Sequence, residues 1–210
     1  GALAAGEPFD GYADVWASSI EVHQFAHVLF DLVQAGALGL LNVASPESVS
    51  KADVITALNF GRDAGLEIAV RGGGHHANGF GVWDGALTID LGNMRGVDVV
   101  PGEKKVRVQG GAVWGDVDHA THPFGFAVPS GIIGSTGVAG LTLGGGLGNL
   151  SRGAGLTVDN LESADVVLAD GSLVTASQTS HPDLFWALRG GGGNFGIVTS
   201  FTFSGHDVST

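Results

Sequence analysis

Apolar and polar positions alternate along this chain in two textures, one helical and one extended. Between residues 11 and 36, Val15, Ile20, Val22, Phe25, Val28, Leu29, Leu32 and Val33 give a broad apolar face at helical spacing and predict a helix. Pro46 and a serine-rich stretch interrupt it. A second helix is predicted from Ser50, where Ser50-Lys51-Ala52-Asp53 has capping-box form. It carries Val54, Ile55, Leu58 and Phe60 and stops at Gly65. Leu66–Val70 then reads as a short buried strand running into Arg71-Gly72-Gly73-Gly74-His75-His76. From Ala86 the texture becomes extended: Ala86–Leu91, Val97–Val100 and Val106–Gln109 are strands, with a Pro101-Gly102 turn before the last. Residues 113–122 form a short helix. Asp165–Ala169 and Ser172–Ala176 pair as a hairpin around Asp170-Gly171. Pro182–Leu188 is a helix opened by Ser180 and Pro182, and Gly196–Phe203 alternates as a last strand. The pattern specifies an α+β domain without an internal repeat.

Composition sharpens this at one residue type. Glycine supplies 37 of 210 positions, against an average usage of about 7%. The glycines cluster at 72–74, 79–81, 131–148 and 190–196, each beside a strand-like or helix-like run. Glycine is required where backbone takes positive φ or approaches something closely, so these clusters suggest a ligand lying against main chain. The formal charge of −12 argues against nucleic acid and against anionic membrane surfaces as partners. A phosphate-bearing cofactor remains compatible if backbone N–H groups hold it. With no cysteine there is no disulfide, thiolate chemistry or Cys-based metal site. The longest apolar stretch, 35–44, is shorter than the roughly 20 residues needed to cross a bilayer. The start, Gly-Ala-Leu-Ala-Ala-Gly, lacks Met and a basic region, which suggests a processed, tagged or excised terminus.

Two segments carry candidate chemistry. In Arg71–Gly81 a strand feeds three glycines and two histidines, an arrangement that turns several N–H groups one way and makes a nest for a diphosphate; a plain glycine-rich turn is the alternative. In Ser130–Gly148 small residues recur at nearly every second or third place, which admits a flat or extended ligand, or equally tight strand–helix packing. Gly191–Gly196 matches the GxGxxG string, but a helix precedes it and a strand follows, so the Rossmann reading fails. No phosphate-binding Gly-Lys-Ser/Thr loop and no G-x-S-x-G hydrolase elbow occurs. His119 and His122, at i, i+3 spacing, are candidate metal ligands with His75 and His76, against the simpler reading of exposed histidines beside Pro123.

Taken in order, the motifs Arg71-Gly-Gly-Gly-His75, Gly110-Gly111, Ser135–Gly140, Gly144–Gly148, Asp159-Asn160, Leu184–Gly190 and Asn194–Val198 resemble the FAD-binding domain of the vanillyl-alcohol-oxidase type. The branch they look most like is that of the berberine-bridge-enzyme-like and 6-hydroxynicotine-oxidase-like oxidoreductases. The resemblance implies a two-subdomain α+β fold with mixed sheets and flanking helices, over 46–205. It leaves an atypical N-terminal helical segment at 1–45 and a substrate-binding domain absent from this chain. It implies FAD bound by Arg71, Gly72, Gly73, Gly74, His75, His76, Asn78 and Gly79, by Ser135, Thr136, Gly137, Val138, Gly140, Gly144 and Gly145, and by Ile197 and Val198. His75 matches the histidine that many members bond to the flavin 8α-methyl. The cysteine of doubly linked relatives would align at Ile133, so a second link is impossible. Residues 17–44 are longer and more apolar than the branch shows, and Asn149 and Ala154 stand where aromatics are common. The implied function is an oxidase that moves hydride from a small-molecule substrate C–H to flavin N5 and electrons to O2. The rivals are a flavin-binding module inert alone and a cofactor-free glycine-rich structural domain.

Overall fold

A computed structural model of the protein describes residues 49–208 and the backbone of two strands nearer the N-terminus, β1 (Ala13–Trp16) and β2 (Leu41–Ala44). β1 corrects the sequence reading, because Ala13–Trp16 is extended where a helix was expected over 11–36; the rest of that span lies outside the described residues. Its partner is β2, which it meets in parallel with Val15 opposite Val43. Local periodicity does not reveal a pairing partner so far along the chain.

Two sheets follow. β1 and β2 join β3 (Ile68–Arg71) and β4 (Leu87–Asp90) in an all-parallel sheet of order β1-β2-β4-β3. A five-stranded antiparallel sheet is built from β5 (Val97–Val100), β6 (Lys105–Gln109), β8 (Leu161–Val167), β9 (Leu173–Ser177) and β10 (Ile197–Ser204), in the order β5-β6-β10-β8-β9. A small third pairing joins β7 (Phe126–Ala127) to β11 (His206–Asp207). The α+β expectation holds, with parallel and antiparallel pairing kept in separate sheets.

Helix α1 (Lys51–Asp63) forms as the sequence predicts. Ser50 Oγ accepts from the Asp53 amide at 3.3 Å and Asp53 Oδ2 accepts from the Ser50 amide at 2.8 Å, closing the capping box. Gly65, at φ +67, takes the left-handed turn that ends it. Val54, Ala57 and Leu58 of α1 pack with Ile89, Leu91 and Met94 from the parallel-sheet side and with Val167 and Ile197 of the antiparallel sheet. The larger core lies on that sheet's other face. There Val106, Val108, Val166, Phe201 and Phe203 meet Trp114 and Val117 of α2 (Trp114–Thr121), Val138 and Leu143 of α3 (Val138–Leu143), and Phe185 and Leu188 of α5 (Pro182–Leu188). A short α4 (Ser151–Ala154) leads towards β8. α5 has Pro182 in its first turn, but the residue before it is His181 at φ +50, without a side-chain cap, so Ser180 does not open the helix as expected.

β10 is not a simple alternation. Its register against β8 slips between Val198 and Ser200, a bulge that puts Val198 and Phe201, three apart, on the same core. Ser200 and Thr202 consequently line the opposite face with Ser163, Asp165, Thr175 and Arg107, around a polar cleft of about 430 Å³ that Lys51 also borders.

Candidate functional site

β3 ends at Arg71, whose Nη1 donates to Asp90 Oδ2 at 2.7 Å on the neighbouring strand; Asp90 Oδ1 in turn accepts from the Gly92 amide at 2.8 Å. The pair fixes the root of the glycine loop. Gly74 follows at φ +72, and a Cβ there would lie 3.3 Å from Arg71 Nη2, so the guanidinium lies against the loop it supports. Arg71 is thereby already partnered. Among the described residues, the amides of Gly73, Gly74, His75 and His76 have no acceptor within the chain. Consecutive free N–H groups of this kind are what the sequence reading anticipated for a diphosphate.

The second segment arrives from the other half of the molecule. The amides of Trp114 and Gly115 donate to the carbonyls of Thr136 and Gly134 at 3.0 and 2.8 Å, and Val138 donates to Ala112 at 2.9 Å, which stitches 134–138 beside the start of α2. This carries Gly137 directly against Gly73: a Cβ on either would overlap backbone of the other. Gly72 faces Gly110 O and Ala139 in the same crossing. The glycines at 73 and 137 are therefore required by contact between chain segments, whatever ligand approaches them. Gly144 differs, because a Cβ there would meet nothing nearer than Gly140 O at 3.4 Å. The tight-packing alternative thus accounts for Gly73 and Gly137 and leaves Gly144 to another cause.

The crossing places His75 Nε2 3.1 Å from Ser135 Oγ, joining two predicted residues 60 positions apart. His76 is engaged elsewhere: its Nδ1 accepts from the Asn78 amide at 3.2 Å, and its ring lies 4.7 Å from that of Phe80. Apolar side chains stand exposed beside the second segment. Ile132, Ile133 and Leu147 are 72%, 52% and 76% exposed, and Gly148 packs on Ser130 and Gly131 to bring the two stretches together. Unpaired amides next to exposed apolar surface suit a ligand with a phosphate bridge and a flat ring system. Val138, Ile197 and Val198 are buried in the cores, so only their backbone is available to a ligand. Thr136, Gly145 and Gly79 lie on the same loops, and Gly140 lies in α3. Among the described residues, His75, His76, His119 and His122 included, no group of three potential metal ligands converges.

The chain belongs to the FAD-binding domain family, whose model matches residues 42–177. It is 41% identical over 165 residues to the uncharacterized FAD-linked oxidoreductase YgaK of Bacillus subtilis, covering 76% of this chain and 37% of that protein. The solved 6-hydroxy-D-nicotine oxidase of Arthrobacter nicotinovorans superposes with a TM-score of 0.75 at 37% identity, over 77% of this chain and 36% of that one. Glucooligosaccharide oxidase of Acremonium strictum, which carries 6-S-cysteinyl, 8α-N1-histidyl FAD, superposes with a TM-score of 0.72 at 41% identity, over 77% and 34%. The chain spans about a third of the length of these relatives. FAD is thus its cofactor, and the resemblance read from the motifs holds.

Sequence reasoning missed Asp90, which anchors Arg71, and Phe80, which holds His76. The signal for Asp90 was a carboxylate ending a strand-like apolar run, Leu87–Ile89. Asp165, at the head of the polar cleft, was legible only as a charge interrupting a hydrophobic strand.

Proposed function

We propose that this chain is the flavin-holding part of an FAD-dependent oxidase acting on a small molecule, and that FAD is bonded to His75. The observation that carries the covalent assignment is the pairing of the exposed His75 with Ser135 while His76 is turned to Asn78 and Phe80. The free amides of Gly73–His76 hold the phosphates, Arg71 is held by Asp90 under the loop, and Ser135–Gly145 lie along the ring side. The flavin-binding unit runs from 46 to 205, with β1 and β2 adding to its parallel sheet. When bound, FAD supplies the redox chemistry, taking hydride at N5 and delivering electrons to O2, while the protein supplies position and tuning. The substrate pocket and the catalytic base belong to a second domain, of the kind that the relatives' greater length accommodates. No residue of this chain is a cysteine, and Ile133 offers no thiol for a second link.

The test uses protein expressed from the full reading frame. Acid-precipitated wild type should retain flavin, and peptide mass should place one FAD on His75. His75→Ala should release all flavin on precipitation. FMN in place of FAD, or an adduct on any other residue, refutes the proposal.

A further inference from the structure

We propose that Ser135 is the positioning residue that decides which nitrogen of His75 bonds to the flavin, and that this nitrogen is Nδ1. The inference rests on the covalent assignment to His75 made above. A neutral imidazole carries its proton on one nitrogen and a lone pair on the other, and only the lone pair can form the new bond. In His75 the two nitrogens are not equivalent. Nε2 lies 3.1 Å from Ser135 Oγ, whereas Nδ1 has no partner among the described residues. Ser135 Oγ makes no other hydrogen bond among them and is free to accept. If Oγ accepts from Nε2–H, the lone pair is left on the unencumbered Nδ1. If Oγ instead donates to Nε2, the proton moves to Nδ1 and neither nitrogen can react without breaking the contact. The reactive arrangement is therefore the one in which Ser135 accepts.

The bond accounting is consistent with this role. The Nδ1 lone pair forms a bond to the 8α carbon, and one C–H bond of that carbon breaks, its hydrogen leaving as a proton. The electron pair of that C–H bond passes through the ring system to O2, which takes up the released proton and one from solvent to give H2O2. Nε2 keeps its proton, so the imidazole becomes positively charged as the bond forms, and the Ser135 oxygen faces that charge as a charge-assisted acceptor. Because 134–138 is fixed by its bonds to 112–115, the hydroxyl is held by backbone and not by a mobile loop.

The test compares wild type, Ser135→Ala and Ser135→Thr, expressed from the full reading frame without added riboflavin limitation. Covalent incorporation is followed per bound FAD by acid precipitation, and the linked nitrogen is identified by NMR of the histidyl-flavin released on digestion. Wild type should be Nδ1-linked. Ser135→Ala should incorporate about tenfold more slowly or worse, as a misplaced reacting group does, and should yield some Nε2-linked product. Ser135→Thr, which restores the hydroxyl, should recover both rate and linkage. An Nε2 linkage in wild type overturns the inference even if Ser135→Ala does not fold. Wild-type rate with pure Nδ1 linkage in Ser135→Ala also overturns it, while leaving the His75 assignment intact. A wild type with no flavin on His75 brings down that assignment and this inference with it.

Discussion

Asp165→Asn should destabilise the fold by an amount that depends on pH in a defined way. Asp165 Oδ2 accepts from Lys51 Nζ at 2.6 Å, from Arg107 and from Ser200 Oγ at 2.8 Å, and Oδ1 accepts from Thr175 Oγ1 at 2.7 Å. The carboxylate, on β8, thereby fastens the first residue of α1 to its own strand and to β6, β9 and β10 of the antiparallel sheet. Burial opposes its ionisation, but the hydrogen bonds from Lys51, Thr175 and Ser200 and the Lys51 charge outweigh that, and its pKa is lowered to about 2. Such a shift corresponds to roughly 2.5 kcal/mol. Lys51 and Arg107 are 34% and 53% exposed, and solvent screening reduces the figure to about 1–2 kcal/mol. The asparagine keeps the volume, removes the charge and leaves two cations facing each other. For a chain of this size the melting temperature should fall by roughly 2–8 °C at pH 7. A carboxyl with a depressed folded-state pKa contributes stability fully above its unfolded value near 4 and loses it as pH falls towards 2. Thermal melts of wild type and variant between pH 7 and pH 3 should therefore show a constant gap down to about pH 4, contracting below it. A variant melting within about 1 °C of wild type at pH 7 would refute the network's energetic role, and so would a gap that persists undiminished at pH 3.

Three further substitutions separate packing from ligand contact. Gly73→Ala places a methyl on the Gly137 backbone, which has no side chain to yield; urea unfolding should show a loss of about 1–3 kcal/mol, together with lost FAD. Gly144→Ala meets only ordinary contacts, so stability should change by less than about 1 kcal/mol. Its FAD content should nevertheless drop, and full retention would remove Gly144 from the site. His76→Ala should keep acid-stable flavin because that ring is already committed to Asn78 and Phe80; loss of the adduct would move the linkage question back to His76.

What the sequence determined is local. The capping box at Ser50, the strand Val97–Val100 and the proline-led helix Pro182–Leu188 appear where periodicity and end signals put them, since each depends on residues a few positions apart. The glycine clusters, the two candidate loops and the family resemblance were likewise legible, because residue type and order alone carry them. The helix α3 was hidden, since a run of small residues such as Val138-Ala139-Gly140 has no helical stripe to show. Only the tertiary structure decided that Ala13–Trp16 is a strand, because its extended form is stabilised by pairing with Leu41–Ala44. It also decided that a bulge in β10 turns Ser200 away from Phe201's core and towards Asp165. Most consequential is the crossing of Gly73 with Gly137, which brings His75 to Ser135 from 60 residues away. Contacts of that range depend on how two sheets pack about α1, and no window of sequence contains both partners.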